Sequence, residues 1–174
     1  MHKDSFAFRY GFAVAALLVA LALAGCGFQL RGSRPDAKLE FSSVHLEAGS
    51  GSPLERELRN AILTQGGTVL ATDRKSADVT LRILQENQEK KVLTINAQGQ
   101  VREYSLLYRV NFDVIDKENT RLLEPTELAL QTFMSYSESQ ALAKENEERL
   151  IYNDLRADAV SQIMRRLSQI KPKT

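Results

Sequence analysis

The chain has 174 residues, with 23 Lys+Arg against 22 Asp+Glu and a formal net charge of +1. So even a balance gives no global field to attract nucleic acid or lipid phosphate, and any anion binding must come from a local cluster. With 43% hydrophobic and 26% charged residues, the composition is that of a globular domain and excludes a disordered tether.

Lys3 and Arg9 open the chain, and "GFAVAALLVALALAG" follows from Gly11 to Gly25 without a charge. As a helix this run spans roughly 20 Å, too short for a hydrocarbon core about 30 Å thick. A basic start, a short apolar run and small residues at its end describe a secretory signal peptide. A buried core helix fits poorly, because every face of the run is apolar. The chain's one cysteine stands at its end, in Leu23-Ala24-Gly25-Cys26. These four residues resemble the lipobox of bacterial lipoproteins. The resemblance implies alkylation of the Cys26 thiol by a diacylglyceryl group and cleavage between Gly25 and Cys26. In most Gram-negative bacteria the new amine is then acylated. Only a thiolate offers the nucleophile for such a thioether, and several acyl chains hold a protein on a membrane where one does not. By analogy with lipoprotein sorting, Gly27 in place of Asp after the cysteine directs the protein to the outer membrane.

The expected organisation is a signal peptide over 1–25, a lipid-anchored lead-in over 26–38 and a single domain over 39–171. Removing Lys3, Asp4 and Arg9 with the signal leaves a neutral chain. Without a second cysteine no intrachain disulfide forms, so stability rests on packing.

In "LEFSSVHLE", 39–47, Leu39 and Phe41 share one parity and Val44 and Leu46 the other, which predicts a strand with a bulge near Ser42-Ser43. "AGSGSPLERELRNAILTQGG" reads as loop, helix and stop. Ser52 is the N-cap, Pro53 the first helical position and Glu55 the partner in a capping box. Leu54, Leu58, Ala61 and Ile62 form the apolar stripe and Gly66-Gly67 the end. "TVL" at 68–70 is a candidate short strand. Val79, Leu81 and Ile83 alternate in "VTLRILQENQEKKVLTIN", and a turn at "AQGQ" follows. Tyr104, Leu106, Tyr108, Val110, Phe112 and Val114 then keep strict period two, opposite a largely polar set. "DKENT" turns the chain into "ELALQTFMSY", 127–136. Three long strands joined by short turns predict an antiparallel meander. The last third is helical, capped by Ser137 or Ser139, with Ile151, Leu155, Ala159, Ile163, Leu167 and Ile170 as its stripe. The expected fold is α+β: a two-layer sandwich of two amphipathic helices on a mostly antiparallel four-stranded sheet.

Little points to catalysis, and the expectation is that the protein is not an enzyme and needs no cofactor. His45 is the one histidine left after the signal, so a His/Cys metal cluster is ruled out and a Ser-His-carboxylate set would hang on a strand residue. "AGSGS" lacks a P-loop lysine, and Glu147-Glu148 reads as a solvated helix face.

"CGFQLRG", "SPLERELRNAIL", "GQVREYSLLYRVNFDV" and "ALAKENEERLIYNDLR" together resemble, in order and across the chain after the signal, the LPS-assembly lipoprotein family LptE. The resemblance implies a two-helix, four-strand sandwich, anchored by its acyl chains on the periplasmic side of the outer membrane. It implies a 1:1 partner, the β-barrel LptD, whose lumen the family member plugs and whose assembly it assists. It also implies help in inserting lipopolysaccharide into the outer leaflet, and no nucleic-acid partner. Family lipopolysaccharide contacts map to the hairpin tip around 96–102 and to a lysine at the start of the final helix. Lys144 matches the second. Ala97 stands where some relatives carry a basic residue, which leaves Lys90, Lys91 or Arg102 for the first. Each of these is equally well read as a solubilising charge, and Lys144 as an ion-pair partner of Glu147 or Glu148. Two other readings compete: a periplasmic scaffold or pilotin-like subunit of another envelope complex, and a lipid-anchored hydrolase built around His45.

Overall fold

The computed structural model describes residues 39–171, which fall within one structural unit. The elements run β1 (Ser43–Glu47), α1 (Pro53–Thr64), β2 (Val69–Leu70), β3 (Val79–Ile95), β4 (Val101–Asp116), β5 (Arg121–Ser135) and α2 (Ala141–Leu167). Short 3₁₀ turns at Arg74–Ser76 and Glu138–Gln140 precede β3 and α2. The expected signal peptide, Cys26 and the expected lead-in lie outside the described residues.

The α+β class and its two helices hold, but the sheet has five strands in the order β2-β1-β3-β4-β5 and is mixed. The meander predicted from the alternation is β3-β4-β5, antiparallel throughout. β1, expected in a mostly antiparallel four-stranded sheet, instead runs parallel to both β2 and β3. The cause is the connection. After β1 the chain crosses back through α1, so the next strands start from the end where β1 started, and a crossover of that length makes parallel neighbours. β2 is the candidate strand at 68–70 reduced to two paired residues.

The strand predicted to begin at Glu127 begins at Arg121 instead. Pro125 disguises its first six residues, yet Pro is tolerated here because β5 is an edge strand. The register also shifts opposite it, between Phe112 and Val114. The parity switch in 39–47 falls at the mouth of β1, where both Phe41 and Val44 are buried. The Asp78 carboxylate accepts the Ser42 and Ser43 amides at 3.0 and 2.9 Å, and the Ser43 hydroxyl accepts the Asp78 amide at 2.9 Å. This reciprocal pair ties the start of β1 to the start of β3.

α1 starts as expected. The Ser52 hydroxyl accepts the Glu55 amide at 3.0 Å, while the Glu55 carboxylate reaches back to the Gly51 amide at 2.9 Å. Gly66 and Gly67 end it at φ of 66° and 86°, the region where a β-carbon is strained. Ser52→Ala is expected to cost about 1 kcal/mol, read as a lower urea midpoint with unchanged slope. α2 departs from expectation at its start. The Ser137 and Ser139 hydroxyls bond each other at 2.9 Å, and Gln140 occupies the N-cap position with no side-chain cap bond. The intervening 3₁₀ turn carries both serines past the position from which they could cap.

The core lies between the helices and one sheet face. Leu54, Leu58 and Ile62 of α1 and Ala159, Ile163 and Leu167 of α2 meet Leu81, Tyr108, Val110, Phe112 and Val114, nearly all fully buried. At 27 residues, α2 is about 40 Å long. Its lower two-thirds seal this core. Its first turns carry no fully buried residue and lie over the outer part of the β3–β4–β5 hairpins, where Leu106, Met134 and Tyr152 form a second, small cluster.

Candidate functional site

The four basic residues singled out in the sequence lie toward the hairpin end of the sheet, distributed over two faces. Register places Lys90 opposite Leu106 and Lys91 opposite Ser105. Adjacent strand residues point to opposite faces, so Lys90 shares the helix-covered face with Leu106 and Tyr104, and Lys91 the open one. Lys90 Nζ sits 4.3 Å from the Tyr104 ring centroid and 2.5 Å from Glu148 of α2. Tyr104 in turn meets Tyr136 edge-on, with centroids 5.1 Å apart. Strand alternation put Tyr104 on this face; nothing local in the sequence announced its pairing with Tyr136, thirty-odd residues away.

Lys91 pairs with Glu89 at 2.7 Å. That hydrogen bond is the main reason the Glu89 carboxyl is held below its ordinary range, with Arg109, 2.9 Å away, adding to it. Lys144 lies in the first turn of α2 with a mostly buried side chain. It donates to the Ser135 hydroxyl at 3.0 Å and to Glu147 at 2.8 Å. The intrahelical pair weighed as the alternative for Lys144 is therefore formed, and the same ammonium also staples α2 to the end of β5. Arg102 is exposed, and its carbonyl accepts the Tyr136 amide at 2.7 Å. Among the described residues Arg102 has no carboxylate partner. The structure thus brings Arg102, Lys144, Lys90 and the two tyrosines to one end, with Lys91 on the other face. Three of the four cations already have a carboxylate at hand.

The open face of the sheet is a polar ladder that the sequence showed only as the partner set of the alternation. Arg82 and Asp113 form a two-pronged ion pair across β3 and β4. Next to it Gln85, Asn87, Arg109, Asn111 and Glu127 line a shallow cleft. Arg109 Nε and Asn111 Oδ1 are enclosed there without a hydrogen-bond partner among the described residues. His45 belongs to this face too, with Nδ1 3.1 Å from the Ala71 carbonyl and Nε2 4.0 Å from Glu47. It is built into the β1–β2 contact, with no serine or cysteine among its polar partners. Among the described residues no group of three His, Cys, Asp or Glu side chains is placed to hold a metal ion.

The domain thus joins two helices and a five-stranded mixed sheet with a polar open face and a basic, aromatic hairpin end. The family model of LptE, lipopolysaccharide-assembly, matches residues 38–167, and the chain belongs to this family. It is 27% identical over 152 residues to the LPS-assembly lipoprotein LptE of Photorhabdus laumondii, covering 86% of this chain and 81% of that one. With the LptE of Yersinia pestis (strain Pestoides F) the identity is 28% over 153 residues, covering 86% and 72%. Among solved structures, an uncharacterized lipoprotein B from Nitrosomonas europaea superposes with a TM-score of 0.70 at 32% identity, over 82% of this chain and 90% of that one. Rare lipoprotein B from Shewanella oneidensis shares the fold, with a TM-score of 0.64 at 21% identity over 73% and 94%.

Proposed function

We propose that this protein is an outer-membrane lipoprotein that occupies the lumen of the LptD β-barrel, assists its assembly and helps pass lipopolysaccharide to the outer leaflet. The observation that carries this reading is the match to the lipopolysaccharide-assembly family over residues 38–167, the whole two-layer domain. The physics is compatible. Lumens of large barrels are polar, and a plug for one needs a face rich in hydrogen-bonding groups. The ladder around Arg109 and Asn111, with two enclosed polar atoms still unsatisfied, is such a face. Cys26, cleaved from Gly25 and acylated, would be the anchor on the periplasmic side.

The test is a pull-down of the mature protein from solubilised outer membranes. A β-barrel of the LptD class should co-purify in a 1:1 ratio, and intact mass should place acyl chains on an N-terminal Cys26. Recovery of a different envelope complex without that barrel would overturn the reading in favour of a scaffold or pilotin role.

For lipopolysaccharide phosphates we propose the hairpin end, with Arg102 as the leading contact and Lys144, Lys90 and Lys91 in support. Arg102 is the one of the four that would give up no described ion pair to bind. Arg102→Glu should therefore weaken lipopolysaccharide binding several-fold in a salt-dependent way, and Lys144→Asp less so, with a loss of α2 anchoring added. Titration of both variants with purified lipopolysaccharide at two ionic strengths checks this. An unchanged affinity for Arg102→Glu would remove the hairpin end from consideration.

A further inference from the structure

At the opposite end of the sheet, the start of β5 and the end of α2 enclose a groove of about 670 Å³. Its apolar floor is Leu122, Leu123 and Ile170, all packed against the main core. Its rim is Arg121, Arg166, Gln169 and Lys171, and no acidic residue among the described ones lines it. Arg121 has Glu124 at 3.2 Å in an exposed pair. Among the described residues neither Arg166 nor Lys171 has a carboxylate partner. The Arg166 guanidinium is held 5.9 Å from the Phe112 ring centroid, an orientation set by the core. The carbonyl end of α2 adds about half a negative charge, small beside three full cations.

We infer that this groove binds an anionic glycerophospholipid, with the phosphate between Arg121, Arg166 and Lys171 and the upper acyl carbons on Leu122, Leu123 and Ile170. Charge and polarity complement such a headgroup, an anion attached to an apolar stem. The course of the chain argues for the membrane as its source. Val44 pairs with Val79, and Val79 with Asp116, just before the turn into Arg121. The chain therefore enters β1 from Leu39 at the grooved end. At no more than about 3.5 Å per residue, the segment from Cys26 to Lys38 keeps this end within roughly 45 Å of an acylated Cys26. That step rests on the anchor proposed above; the groove's chemistry does not.

The experiment titrates the full mature chain, carrying Cys26→Ser so that no acyl chain competes, with dihexanoyl-phosphatidylglycerol and dihexanoyl-phosphatidylcholine below their micelle concentrations. Methyl NMR signals of Leu122, Leu123 and Ile170 report the site. The expected result is saturable shifts at these methyls with the phosphatidylglycerol, about tenfold weaker with the zwitterionic lipid, and weaker again at high salt. Lys171→Glu, exposed and remote from the core, should lower the affinity about tenfold; Arg166→Gln should do the same where it folds. Equal affinity for the two lipids, shifts elsewhere, or indifference to Lys171→Glu would overturn the inference. So would inorganic phosphate reproducing the shifts with no gain from the acyl chains, or purified lipopolysaccharide displacing the lipid at lower concentration. No barrel is present, so failure here leaves the proposed partnership with LptD untouched.

Discussion

Phe112→Ala is expected to lower stability by about 3–5 kcal/mol, the range for removing a fully buried phenyl ring from a packed core. Phe112 is 0% exposed and lies in β4, the central member of the meander, between Ile83 of β3 and Thr126 of β5. Its neighbours come from both layers, so collapse around the cavity would require sheet and helices to move together. A loss of this size is a large share of the roughly 5–15 kcal/mol available to a domain, and it should lower the melting temperature by about 10–20 °C. Calorimetry of the purified protein measures it. A shift below about 3 °C would mean that the helices do not seal this face as described. Phe112→Leu, which keeps most of the volume, should recover more than half of the loss.

The contrast between β4 and β1 shows what local pattern can carry. In β4 every second residue from Leu106 to Val114 is fully buried, so period-two alternation identifies the strand, its buried face and its place in a meander. β1 has only five residues, and its alternation is equally clear, but which strands flank it depends on where α1 delivers the chain. That information lies in a crossover, not in any residue of β1. β5 shows the opposite failure. Pro125 is a true local signal against a strand interior, overruled because one side of β5 has no ladder to make. At the hairpin end the basic residue types and the intrahelical pair of Lys144 with Glu147 were legible, but the partners of Lys90 and Lys91 were not. Lys90 and Lys91 are adjacent and chemically identical, yet one lies over Tyr104 beneath α2 and the other pairs with Glu89 on the open face. The contact between Lys144 and Ser135 depends on the 3₁₀ turn that sets how α2 leaves β5, and no periodicity encodes that turn. The groove at Arg121 and Arg166 joins residues forty-five positions apart and was invisible for the same reason.

Arg82→Met should cost about 3 kcal/mol, and the asymmetry with its partner is the sharper expectation. Register sets Arg82 of β3 opposite Asp113 of β4, and Arg82 Nε donates to Asp113 Oδ1 at 2.7 Å while Nη2 donates to Oδ2. That contact is the largest cause holding the Arg82 guanidinium above its ordinary range. The two side chains are not equally enclosed: Asp113 is 1% exposed and Arg82 26%. Removing the arginine leaves a carboxylate buried without its counter-ion, whereas removing the aspartate leaves a cation whose long stem can turn its head into water. Asp113→Leu should therefore cost less than Arg82→Met, by about 1 kcal/mol or more. The double variant, apolar on both strands, should recover most of the loss, because replacing a buried ion pair by packed hydrophobic side chains is often close to neutral. Urea unfolding of the three purified variants gives the cycle, and the coupling should exceed about 1.5 kcal/mol. Equal costs for the two single variants, or strictly additive costs in the double, would mean that Asp113 reaches solvent. The Arg82–Asp113 pair would then add little to the open face beyond backbone pairing, leaving the Glu89 pairs with Lys91 and Arg109 as the ion pairs of the ladder.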